Sequence, residues 1–325
     1  MTSARYRILA LDGGGIKGTF TAAVLAEWEK ETGLRVADHF DLIAGTSTGG
    51  ILAIGLGLGL SAQELLDFYK KRGTLIFPVV GFRRRLLHTL RALLKPKHSG
   101  EVLEQHLKEA FGDKKLGHSA KRLVIPSYDT VRGRIFIFKT AHHERFKYDI
   151  DVPAWNIALA TAAAPTYFQA ATVPLHQDQG YVDGGVWANT PALAAVVEAM
   201  AFLGKRADEI DVLSIGTTYA PDSVKDLAGV GMLGWGTRVI KLLMNAQGEA
   251  SHKQAMLLVG DANFMRVDCN TRPGDYAMDD ASDINSLSAM GRGVAVEKLV
   301  LERVKRQFIN GIHAAQFTPF HLPEK

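Results

Sequence analysis

Strand-like and helix-like segments alternate along most of this chain, and that alternation predicts an α/β layered fold with a largely parallel sheet. Two more observations agree. Glycines punctuate the ends of the helical segments, at Gly33, Gly73 and Gly204. No internal repeat or low-complexity linker divides the 325 residues, so one domain is the simpler organisation.

Taken in order, Tyr6 to Leu11 reads as the first strand. A helix from about Lys17 to Thr32 follows, and Gly33 sits where a helix can end in the left-handed region. Phe40 to Ala44 is the second strand. Ser61-Ala62-Gln63-Glu64 is a capping box that opens another helix, closed by Gly73. Glu101 to Phe111 has helical periodicity. Leu123 to Ile125 and Ile135 to Phe138 read as strands, split by the turn Val131-Arg132-Gly133. Trp155 to Ala164 is a buried helix of small residues, stopped by Pro165. Thr190 and Pro191 supply an N-cap and an N1 proline for a helix to Leu203, ended by Gly204. Val212-Leu213-Ser214-Ile215 is a buried strand, and Glu297 to Phe308 an amphipathic helix.

Composition sets the broad class. Hydrophobic residues make up 47% and charged residues 22%, as in a soluble globular protein with a real core. The one cysteine, Cys269, forms no internal disulfide, which points to a reducing compartment. No charged segment leads into an apolar one at the N-terminus, so a cytoplasmic location is expected. The net charge of +4 is modest but unevenly placed. Nine basic residues lie between Lys70 and Lys97 with no acidic residue among them.

Gly45-Thr46-Ser47-Thr48-Gly49 carries the most chemistry. It lies between the apolar runs Phe40 to Ala44 and Ile51 to Ile54, the setting of a G-x-S-x-G nucleophile elbow. There a serine is pushed out at the top of a strand, and glycines occupy a turn that has no room for side chains. The alternative is a glycine-rich turn with an idle hydroxyl. The strand–turn–helix setting favours Ser47 as a nucleophile.

The first strand runs into Asp12-Gly13-Gly14-Gly15-Ile16-Lys17-Gly18. Gly13, Gly15 and Gly18 satisfy a dinucleotide-binding G-x-G-x-x-G literally. Two features oppose that reading. Asp12 would stand beside the pyrophosphate, and the next strand ends in the serine elbow instead of an acid for the ribose. Consecutive glycine N–H groups also form an anion nest suited to an oxyanion. Lys17 either adds positive charge there or is a solvated lysine.

A serine nucleophile needs a base. Eleven histidines are present, and none sits in a telling motif. His142-His143 reads as a surface turn, and His252 as exposed or packed on a helix. Asp183, between Val182 and Gly184-Gly185, can be held rigidly at a strand end and act on the serine directly. Carboxylates are weak bases at neutral pH unless burial raises their pKa. Local chemistry leaves Asp183 and a histidine both open.

The Asp12 to Gly18 loop, the elbow around Ser47 and Asp183-Gly184-Gly185 together, in this order, resemble the patatin-like phospholipase family. Ala160 to Phe168 is similar to the block that precedes the aspartate in that family. The resemblance covers roughly residues 5 to 220. It implies a three-layer α/β/α fold and a Ser–Asp dyad, with Ser47 as nucleophile and Asp183 as base. It assigns oxyanion N–H groups to Gly13, Gly14 and Gly15. It places Asp12, Lys17, Gly18, Gly45, Gly49, Gly184 and Gly185 as supports. It implies hydrolysis of phospholipid acyl esters with no metal or cofactor in catalysis. Within the family, the N-terminal half looks most like bacterial antiphage effectors that a cyclic dinucleotide switches on. Residues after about Asp222 match no motif. They are expected to pack on the core, with a lid or regulatory role.

Phe82 to Lys95 has helical amphipathicity, with Phe82, Leu86, Leu90 and Leu93 on one side and Arg84, His88, Arg91 and Lys95 on the other. A basic amphipathic helix suits an anionic membrane surface, a bound anionic activator, or simple docking with a solvated face. Gly229 to Met244 reads as core, lid or interfacial anchor. The basic stretch lacks interleaved aromatics, so nucleic acid is not the expected partner.

Overall fold

The computed structural model describes residues 5–76, 100–177, 179–220, 225 and 238–324. The basic stretch 82–95 and the glycine-rich part of 229–244 lie outside the described residues.

The elements, in chain order, are β1 (Tyr6–Leu11), α1 (Gly18–Thr32), β2 (Leu42–Gly45), α2 (Thr48–Gly57), α3 (Ala62–Ile76), α4 (Gly100–Phe111), β3 (Arg122–Asp129), β4 (Arg134–Lys139), α5 (Ala154–Ala162), β5 (Ala171–Val173), β6 (Gln179–Asp183), α6 (Gly185–Ala188), α7 (Ala192–Leu203), β7 (Ile210–Ile215), α8 (Arg238–Val259), β8 (Phe264–Val267), α9 (Ile284–Ala295) and α10 (Lys298–Arg303). Gly33 ends α1 with φ 69, its N–H on the Glu29 carbonyl.

One mixed sheet forms the middle layer, with β3, β2, β1, β7 and β8 parallel in that order. The β1 side chains alternate between two cores. Leu9 and Leu11 pack with α1, α2, α3, α5 and α9 on one face. Ile8 and Ala10 pack with Ala192, Ala195 and Val196 of α7 and with Ala255 and Val259 of α8 on the other. Every β1 residue is buried, as expected of a central parallel strand covered on both faces. The result is the three-layer α/β/α architecture.

On the far side of β3 the sheet turns antiparallel. β4 fills one edge of β3 from Val124 to Asp129. β2 and β6 share the opposite edge: β2 pairs only as far as Val124, and β6 pairs from Asp129 back to Ser127. β2 and β6 therefore run toward each other, and their carboxyl ends meet opposite Ile125 and Pro126.

Several boundaries differ from the sequence reading for physical reasons. Ser61 and Glu64 do form the capping box, with the Ser61 N–H on Glu64 Oε2 at 2.7 Å and the Glu64 N–H on Ser61 Oγ at 3.1 Å. Gly73 does not end that helix. It lies inside α3, where a β-carbon would come within 2.7 Å of Ile16 and of Ile284. Thr190 does not cap α7, because its hydroxyl donates to Asp12 Oδ2 at 2.9 Å and Pro191 takes the cap position. The C-terminal helix breaks into a π turn over Val304–Phe308. β5, β8 and α9 had no legible signal in the sequence.

The C-terminal part is built into the same layers. β8 extends the sheet beyond β7, and α9 lies along α1. Trp28 of α1 is fully buried and donates its indole N–H to the Ala295 carbonyl at 3.0 Å. Trp28→Ala removes a large core side chain and a buried hydrogen bond. It is expected to lower stability by about 3–5 kcal/mol in urea unfolding.

Candidate active site

Ser47 stands on the turn between β2 and α2 with φ 55 and ψ −123. For a non-glycine residue that conformation costs on the order of 1–3 kcal/mol and persists only where neighbours impose it. Neighbours grip it from both ends. The Ser47 N–H donates to Thr161 Oγ1 at 3.1 Å, and the Ser47 carbonyl accepts the Ile51 N–H at 3.1 Å to open α2. Behind it, the Thr48 hydroxyl and the buried Tyr69 phenol share a short hydrogen bond, and Tyr69 also donates to the Thr48 carbonyl at 3.2 Å. Close backbone approach explains the glycines. A β-carbon on Gly45 would strike the Gly49 carbonyl, one on Gly49 the Leu11 carbonyl, and one on Gly18 the Thr48 side chain.

The head-on meeting of β2 and β6 delivers Asp183 to this turn. The Ser47 hydroxyl stands close enough to the Asp183 carboxylate to favour its ionised form. The Gly185 N–H donates to Asp183 Oδ1 at 2.7 Å. Burial pushes the Asp183 pKa up to about 6, and these two groups pull against it. Among the described residues, neither a histidine nor a cation acts on this carboxylate. A β-carbon on Gly184 would strike the Pro126 carbonyl, so glycine lets the loop lie flat on β3.

The glycine loop lies beside them. Gly13 is needed for space, since a β-carbon there would run into Asn189 and stand 3.2 Å from the Ser47 β-carbon. Its N–H, however, donates to the Asn189 carbonyl at 2.9 Å. The N–H groups of Gly14 and Gly15 have no hydrogen-bond partner among the described residues. Gly15 has φ 60, and a β-carbon there would meet the Met278 carbonyl. That same carbonyl accepts the Ile16 N–H at 2.9 Å. The Lys17 ammonium donates to the Thr218 carbonyl at 3.3 Å.

The loops are stitched together. Thr46 Oγ1 donates to the Ala188 carbonyl at 2.6 Å, and Thr217 Oγ1 to the Gly13 carbonyl at 2.9 Å. Asp12 anchors the glycine loop from below. Its Oδ2 accepts from Thr190 Oγ1 at 2.9 Å and from Arg266 at 2.7 Å. Arg266 also bonds Asp268 at 2.6 Å and Ser214 Oγ at 2.8 Å. Burial raises the Asp12 pKa, opposed by the Arg266 charge.

The histidines lie elsewhere. His252 packs edge-on against Phe264, with ring centroids 4.9 Å apart, and burial lowers its pKa. His142 is not in a surface turn: it is buried and hydrogen-bonds Glu198 and Thr140, each at 3.0 Å. Among the described residues, no group of three or more His, Cys, Asp or Glu side chains is arranged to hold a metal ion. None of their helices is long and apolar enough to cross a membrane.

Sequence reasoning missed Thr161, Asn189, Arg266 and Asp268. Thr161 lay inside the block that precedes Asp183, where the resemblance pointed to a segment but not to this hydroxyl. The only signal for Arg266 and Asp268 was one charge inside the otherwise apolar run Phe264 to Val267 and one just after it.

Residues 9–196 match the patatin-like phospholipase family. The chain is 35% identical over 292 residues to a cGAMP-activated phospholipase of Pseudomonas aeruginosa, covering 89% of this chain and 84% of that one. It is 35% identical over 342 residues to a cGAMP-activated phospholipase of Vibrio cholerae, covering 94% of each. It is 32% identical over 329 residues to patatin-like protein 2 of Arabidopsis thaliana, covering 88% of this chain and 81% of that one. This chain belongs to the patatin-like phospholipase family and is a hydrolase of that class.

Proposed function

We propose that the chain hydrolyses acyl esters of membrane phospholipids, in the manner of a phospholipase A, with Ser47 and Asp183 as a catalytic dyad. The observation that carries this reading is the Ser47 hydroxyl standing beside a buried Asp183 carboxylate and acting on its ionisation. Burial makes Asp183 a stronger base than an exposed aspartate. Asp183 takes the Ser47 proton as Oγ attacks the acyl carbonyl carbon. The carbonyl electron pair moves to the oxygen, which the Gly14 and Gly15 N–H groups stabilise. Gly13 contributes space, since its own N–H is engaged with Asn189. When the tetrahedral intermediate collapses, the lysolipid leaves with the proton held on Asp183. The same carboxylate then deprotonates a water that attacks the acyl-enzyme, and Ser47 recovers a proton as the fatty acid departs. Each step needs only this serine, this carboxylate and backbone donors, with no metal or cofactor.

A cyclic dinucleotide is the proposed activator. Relatives that carry the words cGAMP-activated in their names align over as much as 94% of this chain. The basic run from Lys70 to Lys97 supports peripheral contact with an anionic membrane from the cytoplasmic side. Residues 221–325 belong to the same folding unit in this reading, because β8 and Arg266 complete the sheet and the support of Asp12.

Acyl release from phosphatidylethanolamine and phosphatidylglycerol vesicles tests the reading. Ser47→Ala and Asp183→Asn are each expected to cut release by roughly 10³-fold or more, with the double variant no worse than either single one. Normal release by Asp183→Asn would sink the dyad. Because Asp183 must be ionised to accept the proton, activity is expected to fall as pH drops through about 6. A flat profile from pH 5 to 8 would contradict a carboxylate base. Release that depends on one member of a cyclic dinucleotide panel would identify the activator; equal release without any would remove the switch. Vesicle binding should weaken as salt rises if anionic lipid is the docking partner.

A further inference from the structure

The end of α5 touches both members of the dyad. Thr161 Oγ1 accepts the Ser47 N–H at 3.1 Å and donates to the Pro126 carbonyl at 2.6 Å. Two residues on, the Ala163 carbonyl accepts the Asp183 N–H at 3.0 Å. One residue earlier, the Ala160 carbonyl accepts from Ser127 Oγ at 3.2 Å, and Ser127 is the residue of β3 that pairs with Asp183. Thr161 is fully buried. Both roles of its hydroxyl are in use, so Pro126 fixes the proton and leaves a lone pair aimed at Ser47. Pro126 itself lies where the carboxyl ends of β2 and β6 meet.

We propose that Thr161 is a positioning residue for acyl transfer, setting the Ser47 backbone so that Oγ reaches Asp183. The inference rests on the dyad reading. Ser47 holds φ 55 only while its neighbours hold it. Thr161 Oγ1 is the acceptor of its N–H, and Ala163, on the same helix end, holds the Asp183 backbone. One short rigid segment therefore gauges the separation of nucleophile and base. Without the hydroxyl, a buried N–H loses its acceptor. The turn then relaxes toward an ordinary backbone conformation and carries Oγ away from the carboxylate. Valine keeps the branched shape and removes only the hydrogen-bonding atom; serine keeps that atom and removes only a methyl group.

The test uses the full chain and compares Thr161→Val with Thr161→Ser. A soluble p-nitrophenyl ester reads turnover, and a fluorophosphonate probe counts competent Ser47 and reads its reactivity. Thr161→Val is expected to lower kcat per titrated site by about 10- to 100-fold. KM should stay within about twofold, since substrate contacts are untouched. Phosphonylation of Ser47 should slow in step. The acid limb of the pH profile should move to higher pH, because the Ser47 hydroxyl, which holds the Asp183 pKa down, moves away. Thr161→Ser should recover turnover. If Thr161→Val lowers thermal stability or the titrated fraction while kcat per site and the acid limb stay put, Thr161 is only structural and the inference is overturned. Should Thr161→Val fail to fold, Thr161→Cys, whose sulfur is a weak acceptor, is expected to show the same loss, and wild-type kcat in it overturns the inference equally. Undiminished turnover in Asp183→Asn sinks the dyad itself. Undiminished turnover in Thr161→Val beside an inactive Asp183→Asn sinks this inference alone.

Discussion

The close approach of three backbone loops, at the carboxyl ends of β1, β2 and β6, is the constraint on which the site depends. Main chain lies against main chain there. Gly45 faces the Gly49 carbonyl, Gly49 faces the Leu11 carbonyl, and Gly184 faces the Pro126 carbonyl, so a β-carbon at any of them has nowhere to go. Packing this tight holds Ser47 in a backbone conformation that its own side chain disfavours. Among the described residues it also leaves the Gly14 and Gly15 N–H groups without carbonyl partners. Strain at Ser47 and open donors beside it are two results of the same geometry.

Two buried aspartates serve this geometry in opposite ways. Asp12 is matched by the Arg266 guanidinium and by Thr190, so its charge is balanced and it works as an anchor. Among the described residues, only the Ser47 hydroxyl and the Gly185 N–H act on Asp183, and burial raises its pKa to about 6. A cation beside Asp183 would favour the ionised form and return it to a weak base. The distribution of cations between two carboxylates thus separates anchor from proposed base.

The C-terminal third supports the N-terminal motifs directly. Arg266 rises from β8 to Asp12, Asp268 holds Arg266 and the Thr218 N–H, and the Met278 carbonyl takes the Ile16 N–H. Arg7 bonds the Phe308 and Ile312 carbonyls at 2.8 and 2.6 Å, tying the strand that feeds the glycine loop to the chain's last segments. A proposed switch acting on this region therefore has a short physical route to the site.

Local patterns in the sequence determined the elements that local physics governs. Tyr6 to Leu11 is a strand because the apolar run Ile8 to Leu11 buries both faces, and Gly33 ends a helix because it enters the left-handed region freely. Ser47, Asp183 and the glycine loop were legible because the turns that hold them demand particular residues at particular spacings. Gly73 was misread because its glycine answers to Ile16 and Ile284, not to its own helix. Thr190 was misread because a distant Asp12 claimed the hydroxyl that a local cap would have used. Only the tertiary structure decided that Ser47 meets Asp183 and not a histidine. That choice depends on β2 and β6 sharing one edge of β3, which brings together two strand ends more than a hundred residues apart in the chain. It also decided that Thr161, Arg266 and Asn189 support the site. Their side chains are ordinary in their own segments, and their roles come from partners that folding brings to them.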